Sequence, residues 1–338
     1  MTRFLHVANG TSTTATIHAA GLPGRSSIWA DVLHDGPVPG GLSDDAFLEV
    51  RSRHLAGSAG VSPDATASEL TRWRAAIAAG DPFDELVLWY EHDLFDQLNL
   101  IHLLSWLAAL PGGAPRTTLI SINAFPGHDH FKGLGELPPP ELASLFGARQ
   151  PVGATQFALA QSSWQAFRSS DPRSIEQVLD GDTSALPFLA AALRRHLEEF
   201  PWTGDGLSRT ERRLLELLAP GPTTLGAIFP RMHELETDFY IADLSFLGVA
   251  MGLAAEPPGL IAIEAPRGPE GPPPQEISQG AHTLSGVASL TAQGQAVRGG
   301  GVDRVRQWGI DRWLGGVHLA GAGEMWRWDA EAKRVVFA

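Results

Sequence analysis

The sequence predicts an α/β protein: a Rossmann-like parallel sheet with helices on both faces, followed by a helical segment and a winged-helix-like C-terminal domain. Three observations carry this. Short apolar segments alternate with helical ones through the first half of the chain, the rhythm of a parallel sheet wrapped by helices. Glu85–Tyr90 is almost wholly apolar without alternation, as a strand buried on both faces requires. Four expected strands each run out into polar, ligand-binding residue types, and in open parallel sheets ligands sit beyond the carboxyl ends of the strands.

The elements follow in order. Phe4–Ala8 is the first strand, and a Thr/Ser-rich turn leads into a helix over Thr13–Ala20, stopped by Gly21 and Pro23. Ser27–Leu33 reads as the second strand. Ser43–Leu55 is helical, with Asp44 and Asp45 favourably placed in its first turn. Ser68–Ala79 is a further helix ended by Gly80-Asp81-Pro82. Glu85–Tyr90 is the third strand. A strong helix begins at Asp93 or Leu94 and runs to Leu110, where Pro111-Gly112-Gly113 ends it. Thr117–Asn123 is the fourth strand. Helices follow over Pro140–Phe146, Gly153–Arg168, Ser174–Leu179 and Ala185–Phe200.

Beyond a linker at Pro201–Gly206, Ser208 and Glu211 make a capping box for a helix over Leu207–Leu218. Helices over Thr223–Phe229 and Asp238–Leu253 follow. A Pro/Gly-rich insert around Glu264–Pro274, an extended run Leu284–Leu290 and a helix over Thr291–Val297 come next. Three helices and a strand pair suggest the winged helix. Short apolar runs at Gly316–Leu319, Met325–Trp328 and Arg334–Phe337 suggest a small antiparallel sheet. The expected domains are residues 1–137, 138–203, 207–299 and 300–338, in keeping with about 150 residues per domain as a soft prior.

Composition narrows the function classes. The chain has 338 residues, 43% of them hydrophobic, enough for real cores. It has no cysteine, which excludes disulfides, thiolate zinc sites and a Cys nucleophile. No apolar run is long enough to span a bilayer and the N-terminus does not read as a signal peptide, so a cytoplasmic location is expected. Acidic residues outnumber Lys and Arg by 38 to 25, a net charge of −13 that repels DNA and anionic membranes at long range. A small anionic ligand is still compatible, because a local nest of N–H groups outweighs distant charge.

Several motifs carry a family resemblance. They are Leu5-His6-Val7-Ala8-Asn9-Gly10-Thr11-Ser12, Trp29-Ala30-Asp31-Val32-Leu33-His34-Asp35-Gly36-Pro37, Trp89-Tyr90-Glu91-His92-Asp93-Leu94-Phe95-Asp96-Gln97-Leu98, Phe131–Leu137 and Ile310–Leu319. In these the chain resembles an uncharacterised bacterial family, domain-of-unknown-function family 1835. The resemblance implies an architecture and no activity. It also marks a departure: the family's first loop usually reads Asn-Gly-Asp-Ser, and Thr11 replaces that Asp.

The strand ends supply the candidate chemistry. Asn9, Gly10, Thr11 and Ser12 lie between a strand and a helix, where N–H groups and hydroxyls suit a phosphate or carboxylate; a capped turn is the plainer reading. Neither G-x-G-x-x-G nor G-K-[ST] is present, so the usual dinucleotide and P-loop readings fail. Asp31, His34 and Asp35 form a possible acid/base unit, a carboxylate orienting an imidazole. Glu91, His92, Asp93, Asp96 and Gln97 are the densest cluster; an N-cap and a helix-dipole role would account for Asp93 and Asp96 but not for Glu91 and His92. Glu91, Asp93, His128 and His130 are candidate metal ligands, and Lys132 a candidate phosphate contact. The cofactor is unknown, a divalent metal being compatible with these residues.

The function expected is an enzyme acting on a small phosphorylated or nucleotide-like substrate, by hydrolysis or group transfer, at the carboxyl ends of the strands. The alternative is a ligand-sensing transcriptional regulator or protein-interaction module that uses the winged helix. DNA is the less favoured partner: the third helix of that region, from Thr237 to Ala250, holds two acidic residues and no basic one. A small anionic molecule is the favoured partner, no membrane is expected, and a homo-oligomer is compatible with the sequence.

Overall fold

The computed structural model describes residues 2–255, 258–264 and 283–338. It is a mixed α/β structure with a mostly parallel central sheet flanked by helices. The chain divides into two compact units, Met1–Arg195 with Trp313–His318, and His196–Arg312 with Leu319–Ala338. The domain boundary expected near residue 137 falls inside the first unit. Beyond Glu264, the expected Pro/Gly-rich insert lies outside the described residues.

The first unit runs β1 (Phe4–Ala8), α1 (Thr11–Ala19), β2 (Arg25–Ile28), α2 (Asp44–Ala59), α3 (Pro63–Ala78), β3 (Glu85–Glu91), α4 (Leu94–Ala108), β4 (Thr117–Ile122), α5 (Pro139–Leu145), β5 (Gln150–Pro151), α6 (Ala154–Phe167), α7 (Arg173–Leu179) and α8 (Leu189–Leu197), the last carrying the boundary between units. Ser43, Ser62 and Asp93 cap α2, α3 and α4, each accepting a main-chain N–H of the first turn. Gly60, at φ 67°, ends α2 in the left-handed conformation that glycine takes without strain.

The sheet order is β2-β1-β3-β4-β5. β1 pairs in parallel with both β2 and β3, β3 in parallel with β4, and the two-residue β5 is antiparallel to β4. The chain therefore builds outward from β1 to one side, then crosses back to β3 and builds to the other. That reversal between β1 and β3 is the topological switch point, where adjacent loops diverge and leave a crevice.

Alternation along the strands divides the core. Ala8, Val87, Trp89 and Ile120 pack with Ile17 of α1, Leu142 of α5, and Phe131, Leu134 and Leu137 of the segment before α5. Leu86, Leu88 and Tyr90 alternate with these and are also fully buried. Helix α4 packs on α6 and is buried along most of its length, so it reads as apolar nearly all round.

β2 is shorter than the expected Ser27–Leu33. Trp29 N–H still donates to the Ala8 carbonyl at 3.0 Å, but the chain then turns, Leu33 N–H donating to the Asp31 carbonyl at 2.8 Å. Asn99 of α4 grips both main-chain groups of Asp31 there. Side-chain bonds thus replace the ladder and draw Ala30–Leu33 off the sheet.

The second unit contains α9 (Arg209–Leu218), β6 (Thr223–Thr224), α10 (Leu225–Glu234), α11 (Asp243–Ala255), β7 (Ile261–Glu264), β8 (Val287–Leu290), α12 (Ala292–Arg298), α13 (Arg304–Trp308), β9 (Ile310–Leu314), β10 (Val317–Gly321), β11 (Trp326–Asp329) and β12 (Arg334–Phe337), with the tip Trp313–His318 assigned to the first unit. The Ser208–Glu211 capping box is present. β6, β8 and β7 form an antiparallel three-stranded sheet. Helix α10 passes through Pro230 instead of stopping at Phe229. Leu225, Ile228 and Met232 are buried along it, and that burial offsets the ~3 kcal/mol an interior proline costs. The expected C-terminal sheet takes the form of two separate ladders, β9 with β10 and β11 with β12.

Candidate functional site

The switch point holds a buried pair of carboxyl groups. Asn9 follows β1, Glu91 ends β3, and Asp96 lies in the first turn of α4. Asn9 Nδ2–H donates to Glu91 Oε2 at 2.5 Å and to Asp96 Oδ2 at 2.9 Å. Asp96 Oδ1 accepts the Glu91 main-chain N–H at 2.9 Å. The two carboxyl groups thus lie side by side at the shared Asn9 amide. Thr13 Oγ1–H fixes Asn9 by donating to its Oδ1 at 3.1 Å.

A strap closes over this pair. Leu134 N–H donates to Glu91 Oε1, and Ser12 Oγ–H donates to the Gly135 carbonyl at 3.3 Å. Close approach explains the glycines: a Cβ on Gly133 would meet Glu91 Oε1 at 2.9 Å, and one on Gly135 would meet Ser12 Oγ at 2.9 Å. Phe131, Leu134 and Leu137 anchor the strap in the core.

Burial sets the electrostatics. Glu91 and Asp96 are only 2% and 3% exposed. Loss of solvent pushes both carboxyl groups above the usual carboxylate range, Asp96 well above it; the neighbouring charge of Glu91 raises Asp96 further, and that of Asp93 raises Glu91. The neighbouring Asp96 carboxyl and the Leu134 N–H partly offset this for Glu91. Two carboxyl groups this close titrate as a pair.

The remaining cluster residues are mostly engaged in structure. Asp93 caps α4, accepting Asp96 N–H at 3.0 Å. Gln97 Nε2–H donates to the Glu91 carbonyl at 2.6 Å. Its Oε1 is buried with no hydrogen-bond partner among the described residues. His92 is buried, its ring edge-on to Phe188 at 6.1 Å. Gly10 offers no side chain to cap α1, and Thr11 and Ser12 are exposed at the helix start. Lys132 is half-buried, and its main-chain N–H donates to Glu136 Oε2 at 3.3 Å.

The loop after β2 corrects part of the expected acid/base unit. Asp31 is 3% exposed and its carboxylate is held by Arg51, which reaches Oδ1 at 2.7 Å. Arg51 is fully buried and also donates to the carbonyls of Val32, Asp35 and Pro37. Asp31 is thus an internal counter-ion of a structural arginine, unsuited to catalysis. Asp35 Oδ2 faces His54 Nε2 at 3.2 Å. The His34 ring lies 6.1 Å from Phe95.

The expected metal set is not assembled. His128 Nε2 meets Glu141 Oε2 at 2.7 Å, and His130 is exposed. Among the described residues no three His, Asp or Glu side chains come together in a metal-binding group. Glu91 is committed to Asn9 and Leu134, and Asp93 to the helix cap, which is why the four do not converge.

Several residues were not foreseen from sequence. Arg51 gave no signal. Asn99 did: it is a polar residue within the apolar run Leu98–Leu104, and such a residue is buried only when hydrogen-bonded. His102 is also buried in α4. It accepts Trp29 Nε1–H at 3.3 Å and stacks on Trp164 at 4.4 Å; burial drives its pKa well below the ordinary imidazole value, so it is neutral. No helix among the described residues is long and apolar enough to cross a membrane. No protein-family model and no curated protein sequence matches the chain.

Proposed function

We propose that the first unit is an enzyme for a small phosphorylated or nucleotide-like molecule, and that Glu91 and Asp96 move a proton during its hydrolysis or transfer. The observation that carries this is the buried carboxyl pair, bridged by Asn9, at the switch point between β1 and β3. Two carboxyl groups whose surroundings keep them from ionising together supply one acid and one base. The adjacent start of α1 suits the anionic end of a substrate, because Gly10 leaves its first-turn N–H groups without a side-chain cap. A retained proton also limits the pair's charge and so its repulsion of that anion. Thr11 and Ser12 line the approach, and the strap Phe131–Leu137 must lift for Glu91 to meet substrate.

The test is a thermal-shift panel of nucleoside mono-, di- and triphosphates and sugar phosphates, followed by phosphate release from any stabilising compound. We expect one class to raise Tm, and Asp96→Asn to abolish its turnover while the far-ultraviolet circular dichroism is unchanged. A panel without any shift, or equal turnover in wild type and Asp96→Asn, would sink the reading.

A second reading makes the first unit a sensor and the second unit its output. The order helix, strand, helix, helix, strand, strand from α9 to β8 favours it, being the order of a winged helix. The output would be to protein before DNA. Helix α11 has Asp243 and no basic residue, while Leu244 and Met251 are 57% and 46% exposed. In this reading ligands shift Tm without being turned over.

A further inference from the structure

The amide that bridges the carboxyl pair carries chemistry of its own. Asn9 is followed by Gly10, the only Asn-Gly pair in the chain; Asn99 precedes Leu100 and Asn123 precedes Ala124. A main-chain nitrogen can close a five-membered ring on the side-chain carbonyl of the preceding asparagine. A glycine nitrogen does so with least hindrance, because no Cβ stands beside it. Gly10 is extended, with φ 175° and ψ 175°, and nothing lies within 4 Å of where its Cβ would be. Its N–H donates to no main-chain acceptor among the described residues, so no main-chain hydrogen bond has to break before it reacts. Both ends of the Asn9 carboxamide are held. Oδ1 accepts Thr13 Oγ1–H at 3.1 Å, and Nδ2 lies 2.5 Å from Glu91 Oε2 and 2.9 Å from Asp96 Oδ2. Thr13, Glu91 and Asp96 are all buried.

We propose that Asn9-Gly10 is a self-modification site, at which the Gly10 nitrogen displaces the Asn9 amide as ammonia and leaves a new carboxyl group beside the pair. The Gly10 nitrogen loses its proton to solvent and bonds to Asn9 Cγ. The charge that develops on Oδ1 is met by the Thr13 hydroxyl. The Cγ–Nδ2 bond then breaks. Nδ2 takes a proton from the carboxyl pair and leaves as ammonia, and the pair regains its proton from solvent. Water opens the succinimide ring to aspartate or isoaspartate, so amide and water become carboxyl and ammonia with no oxidant or reductant. Burial, which favours the protonated form of both carboxyl groups, keeps the acid at hand. Two effects oppose each other. Fixing one side chain slows ring closure by at most roughly thirtyfold through lost rotamer freedom. A positioned carbonyl donor and a positioned acid each accelerate by about a hundredfold or more, so acceleration wins. The product at position 9 has no N–H for Glu91 Oε2 or Asp96 Oδ2 and sets a third acid beside them. The modification therefore dismantles the bridge between the two carboxyl groups.

The test incubates the full chain at neutral pH and body temperature, folded in buffer and unfolded in concentrated urea. Digestion at acid pH, where ring closure is slow, and mass spectrometry then give the fraction of Asn9 that has become aspartate or isoaspartate. We expect modification at Asn9 to be at least about tenfold faster in the folded chain than in urea. Isoaspartate should be among the products, and Asn99 and Asn123 of the folded chain should be unchanged. The comparison uses one sequence, so it does not depend on any variant folding. Asp96→Asn and Thr13→Val should each lower the folded rate toward the urea rate, with circular dichroism and the urea rate unchanged. Gly10→Ala, which the extended backbone and open space accommodate, should suppress the modification in both states. A folded rate equal to or below the urea rate would overturn the proposal. So would a folded rate that neither Asp96→Asn nor Thr13→Val lowers. None of these readouts needs a substrate, so this inference and the proposed turnover can fail separately.

Discussion

At the scale of single residues, Arg51 and Asp96 show two ways a charge is kept inside. Arg51 is neutralised by Asp31 and spends its other N–H groups on three carbonyls, so its desolvation is compensated. Arg51→Met leaves Asp31 buried and unpaired, and should cost about 3–5 kcal/mol in urea unfolding; a loss below about 1 kcal/mol would mean that Asp31 finds water instead. Asp96 is buried, and burial favours its protonated form. Its folded pKa lies above the ordinary value of 3.8, and that of Glu91 above 4.5. Their contribution to stability is therefore complete below the ordinary carboxylate range and is lost as pH rises through the raised values. Asp96→Asn fixes the uncharged form. The stability of wild type minus that of Asp96→Asn should fall as pH rises above the ordinary carboxylate range of about 4. A difference that stays flat across a pH series of urea titrations would show that Asp96 is ionised in the folded protein.

At the scale of elements, the strap before α5 does for the carboxyl pair what α4 does for the loop after β2: each brings main-chain or amide groups to a polar strand end. Gly133→Ala sets a methyl group against Glu91 Oε1. Because Gly133 is extended, with φ 178°, the effect is steric and not conformational. We expect a loss of about 1–3 kcal/mol and faster amide exchange at Leu134; unchanged exchange there would mean that Glu91 moves and the strap stays. The sequence made the sheet legible at this scale because burial writes itself into local pattern. Glu85–Tyr90 is apolar on both faces, and Ser208 with Glu211 announces a helix start. It overran β2 because Trp29–Leu33 continues the apolar run, while the residue that pulls it away, Asn99, is distant in sequence. The switch-point pair was legible as a set of carboxylates. Its partner Leu134 was not, nor was Arg51, the partner of Asp31, since a main-chain N–H leaves no mark in sequence and a buried arginine looks like a surface one.

At the scale of the whole molecule, the first unit is not a continuous piece of chain. Trp313–His318 belongs to it although the rest of the C-terminal third does not. Val38 N–H donates to the Gly315 carbonyl at 2.9 Å, and Gly316 N–H donates to the Phe167 carbonyl at 2.9 Å. These bonds tie the segment to the loop after β2 and to the end of α6. Leu314 and Val317 are buried beside them. The backbones come so close that a Cβ on Gly316 would meet the Arg168 carbonyl oxygen at 2.0 Å, and neither atom is the end of a flexible side chain. Gly316→Ala must therefore displace main chain. It should destabilise the first unit by more than the ~1 kcal/mol typical of a point substitution. Amide exchange resolved by mass spectrometry locates the effect: protection should fall at Val38 and across the end of α6, and hold in α9. Loss confined to residues 310–321 would mean that the segment lies on the first unit without supporting it, and that the unit's fold is complete by Arg195.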